Sequence, residues 1–308
     1  MGIAKGGASL LYELKRDHGL GGAVLQLGKQ SLYVEADQLP GIASQFGFEV
    51  DVSHITKDHE GEYLPDTYGD VVLFKMLGFD NVKSLDFSAY QGADIIHDLN
   101  EPVPSSLKGG FDFVYDGGTL EHIFDFPQCL QNIHDILRVG GMIAHASPSH
   151  NHVDHGFYMY SPTIFWDYYH ANNYKILKSY IFEYETAHTS YTAKDWLIYR
   201  YEPQAIEHLV GGGWGRKRLG IWFVAQKLPH STCDIVPQQG AYMNTWSGIS
   251  TYDPYYHASH QSKILKCTKQ ILTSIPIIGI LIRYLARGIR AFTSNHLKQN
   301  RPPIIARY

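Results

Sequence analysis

The stretch Phe111-Asp-Phe-Val-Tyr-Asp-Gly-Gly-Thr-Leu-Glu-His-Ile-Phe124 carries the strongest fold signal in the chain. It begins with a short, largely apolar run that a Gly-Gly pair stops, a pattern typical of a strand buried in a sheet. Thr119, Leu120 and Glu121 follow directly after the glycines. Because ligands of open α/β sheets bind beyond the carboxyl ends of the strands, these residues are candidates for a site.

Similar strand signals lie on both sides of this stretch and alternate with helical patterns. Strands are predicted at 23–28, 82–86, 93–98, 142–146, 175–185 and 219–228, and helices at 8–19, 35–47, 66–78, 126–138 and 162–169. Short apolar strands that alternate with helices predict a doubly wound α/β domain, with a mostly parallel sheet and helices on both faces.

Acidic residues close three consecutive strands of the predicted sheet, namely Asp86, Asp98 and Asp116. At the end of the second strand a carboxylate can accept both hydroxyls of a ribose, and at the third it can accept an adenine amino group. Each charge-assisted hydrogen bond of this kind contributes ~1.5–3 kcal/mol. The alternative interpretation is that these residues only form the turns that end the strands.

Three segments in sequence order resemble motifs of class I S-adenosylmethionine-dependent methyltransferases. They are Gly92–Pro104, Phe111–Phe124 and Ile133–Ile143. The resemblance covers about residues 20–228. It implies a Rossmann-like methyltransferase fold whose late strands form an antiparallel end, with S-adenosylmethionine as the cofactor.

The resemblance also implies which residues contact the cofactor. Asp86 would bind the ribose, Asp98 with Leu99 the adenine, and the segment from Thr119 to Glu121 would line the methionine side. The complete set of predicted cofactor-binding residues is Gly28, Lys29, Gln30, Asp86, Phe87, Asp98, Leu99, Thr119, Leu120 and Glu121.

The turn after the first strand departs from the family pattern. The family has an acidic residue and a G-x-G-x-G loop there, whereas this chain has Gln26-Leu-Gly-Lys-Gln30, as in a subgroup with a Leu-Gly-(Lys/Arg)-Gln turn. Gly28 and Asp86 are 58 positions apart, and because about 20 is usual in Rossmann-like units, an insertion lies between them. Lys29 could pair with the carboxylate of the cofactor.

A histidine-rich segment, residues 145–155, follows the fifth strand and admits three interpretations. His150, His152, Asp154 and His155 could be metal ligands, although their spacing matches no tight zinc signature. His152 or His155 could be the general base that deprotonates an acceptor, since histidine titrates near neutral pH. The third interpretation is a loop held by histidine hydrogen bonds.

Composition excludes two broad classes of protein. With 44% apolar and 18% charged residues in 308, the chain can bury a sizeable core, which excludes wholesale disorder. Its net charge of −4 excludes a globally basic nucleic-acid binder, and no nucleic-acid partner is expected. Three widely separated cysteines (Cys129, Cys233 and Cys267) and the lack of a signal-peptide pattern predict a cytoplasmic protein.

The charges divide the chain into an acidic body and a basic tail. Residues 1–253 contain 17 basic and 30 acidic residues, whereas residues 254–308 contain nine basic residues and no acidic one. We therefore expect a methyltransferase-like domain at 1–230, a linker or extended cover at 231–262, and a basic amphipathic helical tail at 263–308.

Residues 263–292 place Arg283, Arg287 and Arg290 on one helical face, a pattern typical of helices that bind anionic membrane surfaces. A peripheral position at the inner face of the membrane is the corresponding expectation. The alternative is that this tail docks on the acidic body.

Three functions remain open from the sequence. The leading hypothesis is methyl transfer from S-adenosylmethionine to a small-molecule or glycan-type acceptor. The second is a non-catalytic binding or scaffold protein with a methyltransferase fold, which the missing glycine-rich loop motivates. The third is a metal-dependent enzyme that uses the histidine cluster between His145 and His155.

Overall fold

The computed structural model describes residues 2–52, 69–184, 195–209, 212–246 and 301–308. Within these ranges the strands are β1 Gly2–Ala4, β2 Gly22–Leu27, β3 Ser31–Tyr33, β4 Phe79–Asp86, β5 Ile95–Ile96, β6 Phe111–Asp116, β7 Leu137–Pro148, β8 Lys175–Tyr184, β9 Leu197–Arg200, β10 Arg218–Gln226 and β11 Ile304–Arg307. The helices are α1 Lys5–His18, α2 Gln38–Gln45, α3 Asp70–Met76, α4 Phe126–Ile136, α5 Pro162–Ala171 and α6 Gly240–Trp246.

One sheet of nine strands forms the centre of the domain, in the order β11-β9-β8-β10-β7-β6-β2-β4-β5. The pairings from β7 to β5 are all parallel, whereas β10 is antiparallel to both β7 and β8. The β8–β9 and β9–β11 pairings are also antiparallel. The predicted fold class, a doubly wound and mostly parallel sheet with an antiparallel end, is confirmed. A small separate sheet pairs β1 with β3.

Alternate residues of the central strands enter two different cores. In β2, Val24 packs on one face of the sheet, and Leu25 packs on the other. In β6, Tyr115 packs on the same face as Val24, and Val114 packs on the same face as Leu25. Helices α1, α2 and α3 cover the first face, and α4 and α5 cover the second. The period-2 alternation of side chains explains why strands buried on both faces are apolar at nearly every position.

The order of the strands places the switch point of the sheet between β2 and β6, the position at which open α/β sheets form a ligand crevice. The chain passes from β2 to β4 and β5 on one side, and then returns to β6 on the other side. Leu27 at the end of β2 pairs with Leu85 of β4 and with Asp116 of β6. At such a switch point the loops after neighbouring strands separate, and ligands of open α/β sheets bind there.

The third strand of the parallel set is much shorter than the sequence predicts. A strand is expected at 93–98, but only Ile95–Ile96 pairs with β4. The carboxylate of Asp94 instead accepts hydrogen bonds from the backbone N–H of Ser84 at 2.9 Å and from its hydroxyl at 3.1 Å. A side chain thus replaces ladder hydrogen bonds at Asp94, which explains why the strand begins later than predicted.

The C-terminal part of the chain differs from the expected linker and helical tail. Ile304–Arg307 is a strand paired with β9, so the helix predicted for 263–308 is wrong at these residues. Helix α6 lies within the segment expected to be a linker. Residues 263–292 lie outside the described residues. No helix in the described ranges is both long and apolar enough to span a membrane.

The chain divides into two compact units. The first comprises residues 1–200, 217–237 and 304–308, and holds the sheet. The second comprises residues 201–216 and 238–303. In the second unit the Arg301 guanidinium lies 4.8 Å from the Trp214 ring centroid and donates to the Gly213 carbonyl at 3.1 Å.

Candidate functional site

The turn after β2 is tight despite its single glycine. Gly28 has φ of +70°, a conformation that glycine adopts without strain, and its N–H donates to the Leu85 carbonyl at 2.7 Å. The buried side-chain amide of Gln30 donates back to the Leu27 carbonyl at 3.0 Å. The Leu-Gly-Lys-Gln sequence therefore builds its own turn from one left-handed residue and one buried amide.

The side chain of Lys29 is held by a carboxylate from the insertion. Its Nζ lies 2.9 and 3.0 Å from the two carboxylate oxygens of Asp70, which is 4% exposed at the start of α3. The Gln26 amide donates to the same carboxylate at 2.8 Å. The charge of Lys29 is thus balanced inside the protein by Asp70, and its pairing with a cofactor carboxylate stays a prediction.

Asp86 and Phe87 lie at the end of β4, beside this turn. The two carboxylate oxygens of Asp86 accept hydrogen bonds from the N–H groups of Lys29 and Ser88, each at 3.2 Å. The Phe87 ring is 71% exposed. A fixed carboxylate and an uncovered aromatic ring thus lie next to each other at the crevice.

Asp98 follows β5, the neighbouring strand. Its Oδ1 accepts the backbone N–H of Asn100 at 2.9 Å and the Asn100 amide at 2.7 Å. These hydrogen bonds lower the pKa of Asp98, so it is ionised at neutral pH. The Leu99 side chain is buried in the core, and its carbonyl accepts from the buried amide of Asn132 on α4 at 3.0 Å. Leu99 can therefore contact a ligand only through its backbone.

Thr119 and Leu120 are less accessible than predicted. The Thr119 hydroxyl donates to the Leu27 carbonyl at 2.5 Å and ties the loop after β6 to the end of β2. Leu120 is fully buried in the core. Its side chain does not line the crevice, and the prediction for that side chain is wrong because it supplies apolar contacts beneath the loop.

Glu121 is a buried carboxylate in the loop after β6, directly after Leu120. It is 1% exposed, and burial raises its pKa although the neighbouring His155 lowers it. Its Oε1 lies 3.5 Å from His155 Nε2. Its Oε2 has no hydrogen-bond partner among the described residues.

The loop that carries His155 is attached to Glu121 by main-chain contacts. The N–H groups of Phe157 and Tyr158 both donate to the Glu121 carbonyl, at 2.8 and 3.2 Å. A Cβ at Gly156 would lie 2.8 Å from that same carbonyl oxygen, closer than any side chain is accommodated. The glycine is thus required for the approach that brings His155 to Glu121.

His152 lies in the same loop and is more enclosed than His155. Its Nε2 lies 3.0 Å from the Tyr184 hydroxyl, and its ring centroid lies 5.7 Å from that of His155. Burial lowers the pKa of His152 to about 4. His152 is therefore neutral at physiological pH and a weak proton acceptor.

His145 is separated from the other histidines of the segment. It is fully buried, with Nδ1 2.8 Å from Asp116 Oδ2 and Nε2 2.8 Å from the Tyr169 hydroxyl. Both ring nitrogens of His145 are therefore occupied, so His145 cannot join the metal ligands predicted at His150, His152, Asp154 and His155. Among these predicted ligands, His155 lies next to a carboxylate, that of Glu121.

The structure thus forms two neighbouring groups of predicted residues. One lies around Gly28 and Asp86, and the other joins Glu121 with His152 and His155. Sequence reasoning missed Asp70, whose position in an insertion carries no motif. It also missed His122, although the Glu-His pair at 121–122 was a readable signal.

No protein-family profile and no curated protein matches the chain. Among solved structures, 1,6-didemethyltoxoflavin-N1-methyltransferase of Burkholderia thailandensis, with bound 1,6-didemethyltoxoflavin and S-adenosylhomocysteine, shows 11% identity and a TM-score of 0.37 over 72% of this chain and 79% of its own.

Two further solved structures are similar at the same level. A SAM-dependent methyltransferase of Thermotoga maritima shows 12% identity and a TM-score of 0.35, over 73% of this chain and 90% of its own. One from Aquifex aeolicus shows 12% identity and a TM-score of 0.33, over 70% and 87%. Similarity this weak assigns no reaction to the chain.

Gly156→Ala is expected to destabilise the chain by about 1–3 kcal/mol, because its methyl group must push the loop away from Glu121. Urea unfolding measures the change. Gly41→Ala is the matched control, since no atom lies within 4 Å of its added Cβ and it sits inside helix α2. The control should be neutral or slightly stabilising. Equal stability of the two variants would contradict the close approach.

The lowered pKa of His152 predicts a pH dependence of stability. The folded-state pKa of about 4 lies below the model-peptide value of 6.5, so the unfolded chain binds this proton more readily. The stabilising contribution is complete above about pH 6.5 and is lost as the pH falls toward 4. Between pH 6.5 and 4, urea unfolding should show a smaller loss in the free energy of unfolding for His152→Asn than for wild type. Equal losses in the two proteins would refute the lowered pKa of His152.

Proposed function

We propose that the chain is an S-adenosylmethionine-dependent methyltransferase that acts on a small-molecule or glycan-type acceptor. The observation that carries the proposal is the pair of fixed carboxylates, Asp86 and Asp98, beside the exposed Phe87 ring at the switch point of the sheet. The three sequence motifs that resemble class I methyltransferases support the same cofactor.

The residues at β4 and β5 suit the adenosine part of the cofactor. Each Asp86 oxygen has one backbone partner and retains a lone pair for a ribose hydroxyl. Asp98 holds both of its hydrogen bonds on Oδ1, which leaves Oδ2 to accept an adenine amino group. The Phe87 ring offers an apolar face to a nucleoside.

The first turn suits a positively charged sulfonium once Asp70 is included. A free Lys29 ammonium would repel that cation, but the paired Asp70 carboxylate removes the net charge. The backbone of Gly28 and Gln30 would then contact the amino-acid part of the cofactor. When bound, the cofactor supplies the electrophilic methyl group.

The acceptor would lie toward Glu121 and the histidine loop. Where the acceptor must lose a proton, His155 is the better-placed base, because it is half exposed and its Nε2 lies 3.5 Å from Glu121 Oε1. His152 is less suited, since burial lowers its pKa to about 4. Most of the rate enhancement would come from alignment of the acceptor with the methyl group.

Calorimetry with S-adenosylmethionine and the full chain tests the proposal. Asp86→Ala should weaken binding by about 10- to 150-fold, the equivalent of one charge-assisted hydrogen bond or more. Asp80→Ala is the matched control, because this exposed aspartate lies at the opposite end of β4. It should bind the cofactor as the wild type does.

Two outcomes would contradict the proposal in different ways. No binding at millimolar cofactor would exclude a methyltransferase and favour the non-catalytic alternative. Binding that Asp86→Ala leaves unchanged would keep the cofactor but place it elsewhere.

For the tail we propose binding to an anionic membrane surface through residues 263–292, with the protein peripheral at the cytoplasmic face. The support is the sequence pattern of Arg283, Arg287 and Arg290 beside an apolar face. Each arginine near such a surface contributes about 1 kcal/mol.

Flotation with phosphatidylglycerol vesicles tests this membrane proposal on the full chain. Replacing Arg283, Arg287 and Arg290 together by glutamate should abolish flotation, and wild type should not float with vesicles of neutral lipid. Equal flotation of wild type and variant would refute binding through this face.

A further inference from the structure

Three side chains outside the proposed cofactor contacts converge on one point. One ligand atom from each of Glu121, His122 and His155 lies within 4.8 Å of the other two. A ligand set of two imidazoles and one carboxylate favours a transition metal. Mg²⁺ and Ca²⁺ instead favour oxygen ligands alone.

The fold holds these three side chains independently of any ligand. Glu121 and His122 belong to the short 3₁₀ helix Leu120–His122, whose N-terminal turn is tied to Asp116. His155 is brought to them by the main-chain contacts at Gly156 and Phe157. The rings of His122 and His155 lie 5.2 Å apart at an angle of 63°, too far apart and too steeply inclined to stack face to face.

The carboxylate of this group is buried with one oxygen unpartnered. Glu121 is 1% exposed, and Oε2 has no hydrogen bond among the described residues. A buried polar atom without a partner is costly, and a bound cation offsets that cost directly. This orphaned oxygen is the second observation that points to a ligand.

We propose that Glu121, His122 and His155 bind a divalent transition metal, with Zn²⁺ the best match. Ligand atoms about 2.0–2.1 Å from a tetrahedral Zn²⁺ are about 3.3–3.4 Å apart. Glu121 Oε1 and His155 Nε2 already lie 3.5 Å apart. Both histidines are exposed, so the fourth position is open to water or to an oxygen of a small molecule.

Contacts of their own occupy two other histidines of the segment, His145 and His152. His145 uses both nitrogens with Asp116 and Tyr169, and His152 uses Nε2 with Tyr184. The site therefore differs from the set suggested by sequence spacing. A bound metal would occupy His155, so the metal-bound state and a general-base role of His155 exclude each other.

The test is a titration of the metal-free full chain with Zn²⁺ alone, in competition with a chromophoric chelator at about pH 7.5, where free histidine is neutral. Wild type should bind one equivalent of Zn²⁺ more tightly than any further Zn²⁺. His122→Asn, His155→Asn and Glu121→Gln should each weaken that equivalent by at least the ~10- to 100-fold that loss of an outer-shell partner costs.

His170→Asn is the control, because this exposed histidine on α5 belongs to no cluster of possible ligands within the described residues. It should leave the tight equivalent unchanged. His122 and His155 are exposed, so their variants should fold as wild type, which circular dichroism verifies. Absence of a tight equivalent, or equal weakening by His170→Asn, would overturn the proposal. The result does not depend on S-adenosylmethionine binding, which calorimetry measures separately.

Discussion

The buried carboxylate of Asp116 is the contact on which the rest of the site depends. It lies at the end of β6, is fully buried, and accepts the N–H of Thr119 at 2.9 Å and that of Leu120 at 3.3 Å. Its other oxygen binds His145 of the adjacent strand at 2.8 Å. One carboxylate thereby joins β6, β7 and the loop that presents Glu121. Because a buried charge is costly unless it is fully hydrogen-bonded, this arrangement leaves the loop little conformational freedom.

A second buried charge adapts the first turn to its unusual sequence. In place of a glycine-rich loop, the turn has Lys29, whose ammonium is paired with Asp70 from the inserted segment. The pair is partly screened from water, and Gln26 also donates to the carboxylate. The Asp70 carboxylate from the inserted segment thus balances the positive charge of Lys29 at this edge of the sheet.

Seven of the nine strands described in the central sheet were predictable, whereas β9, β11 and the contacts of individual site residues were not. Apolar runs ended by glycine or aspartate located the central strands, since strands buried on both faces need apolar residues at almost every position. Asp86 and Asp98 follow adjacent parallel strands, as expected, and the ends of parallel strands meet at one edge; their cofactor contacts stay predictions. Leu120 was misjudged, because a residue next to a site in sequence can point into the core. The two-residue strand β5 was overestimated, because sequence patterns do not show a side chain that replaces a ladder bond.

The sequence by itself determined the α/β class and the succession of the central strands and helices along the chain, because these follow from local apolar periodicity. Only the tertiary structure decided which charges are free. Lys29 and His145 look available in the sequence, yet both are held by carboxylates distant in sequence, Asp70 and Asp116. Glu121 and His155 are far apart in the chain and meet only because Gly156 admits a close backbone contact. Electrostatic partners are chosen by distance in space, which periodicity along the chain does not encode.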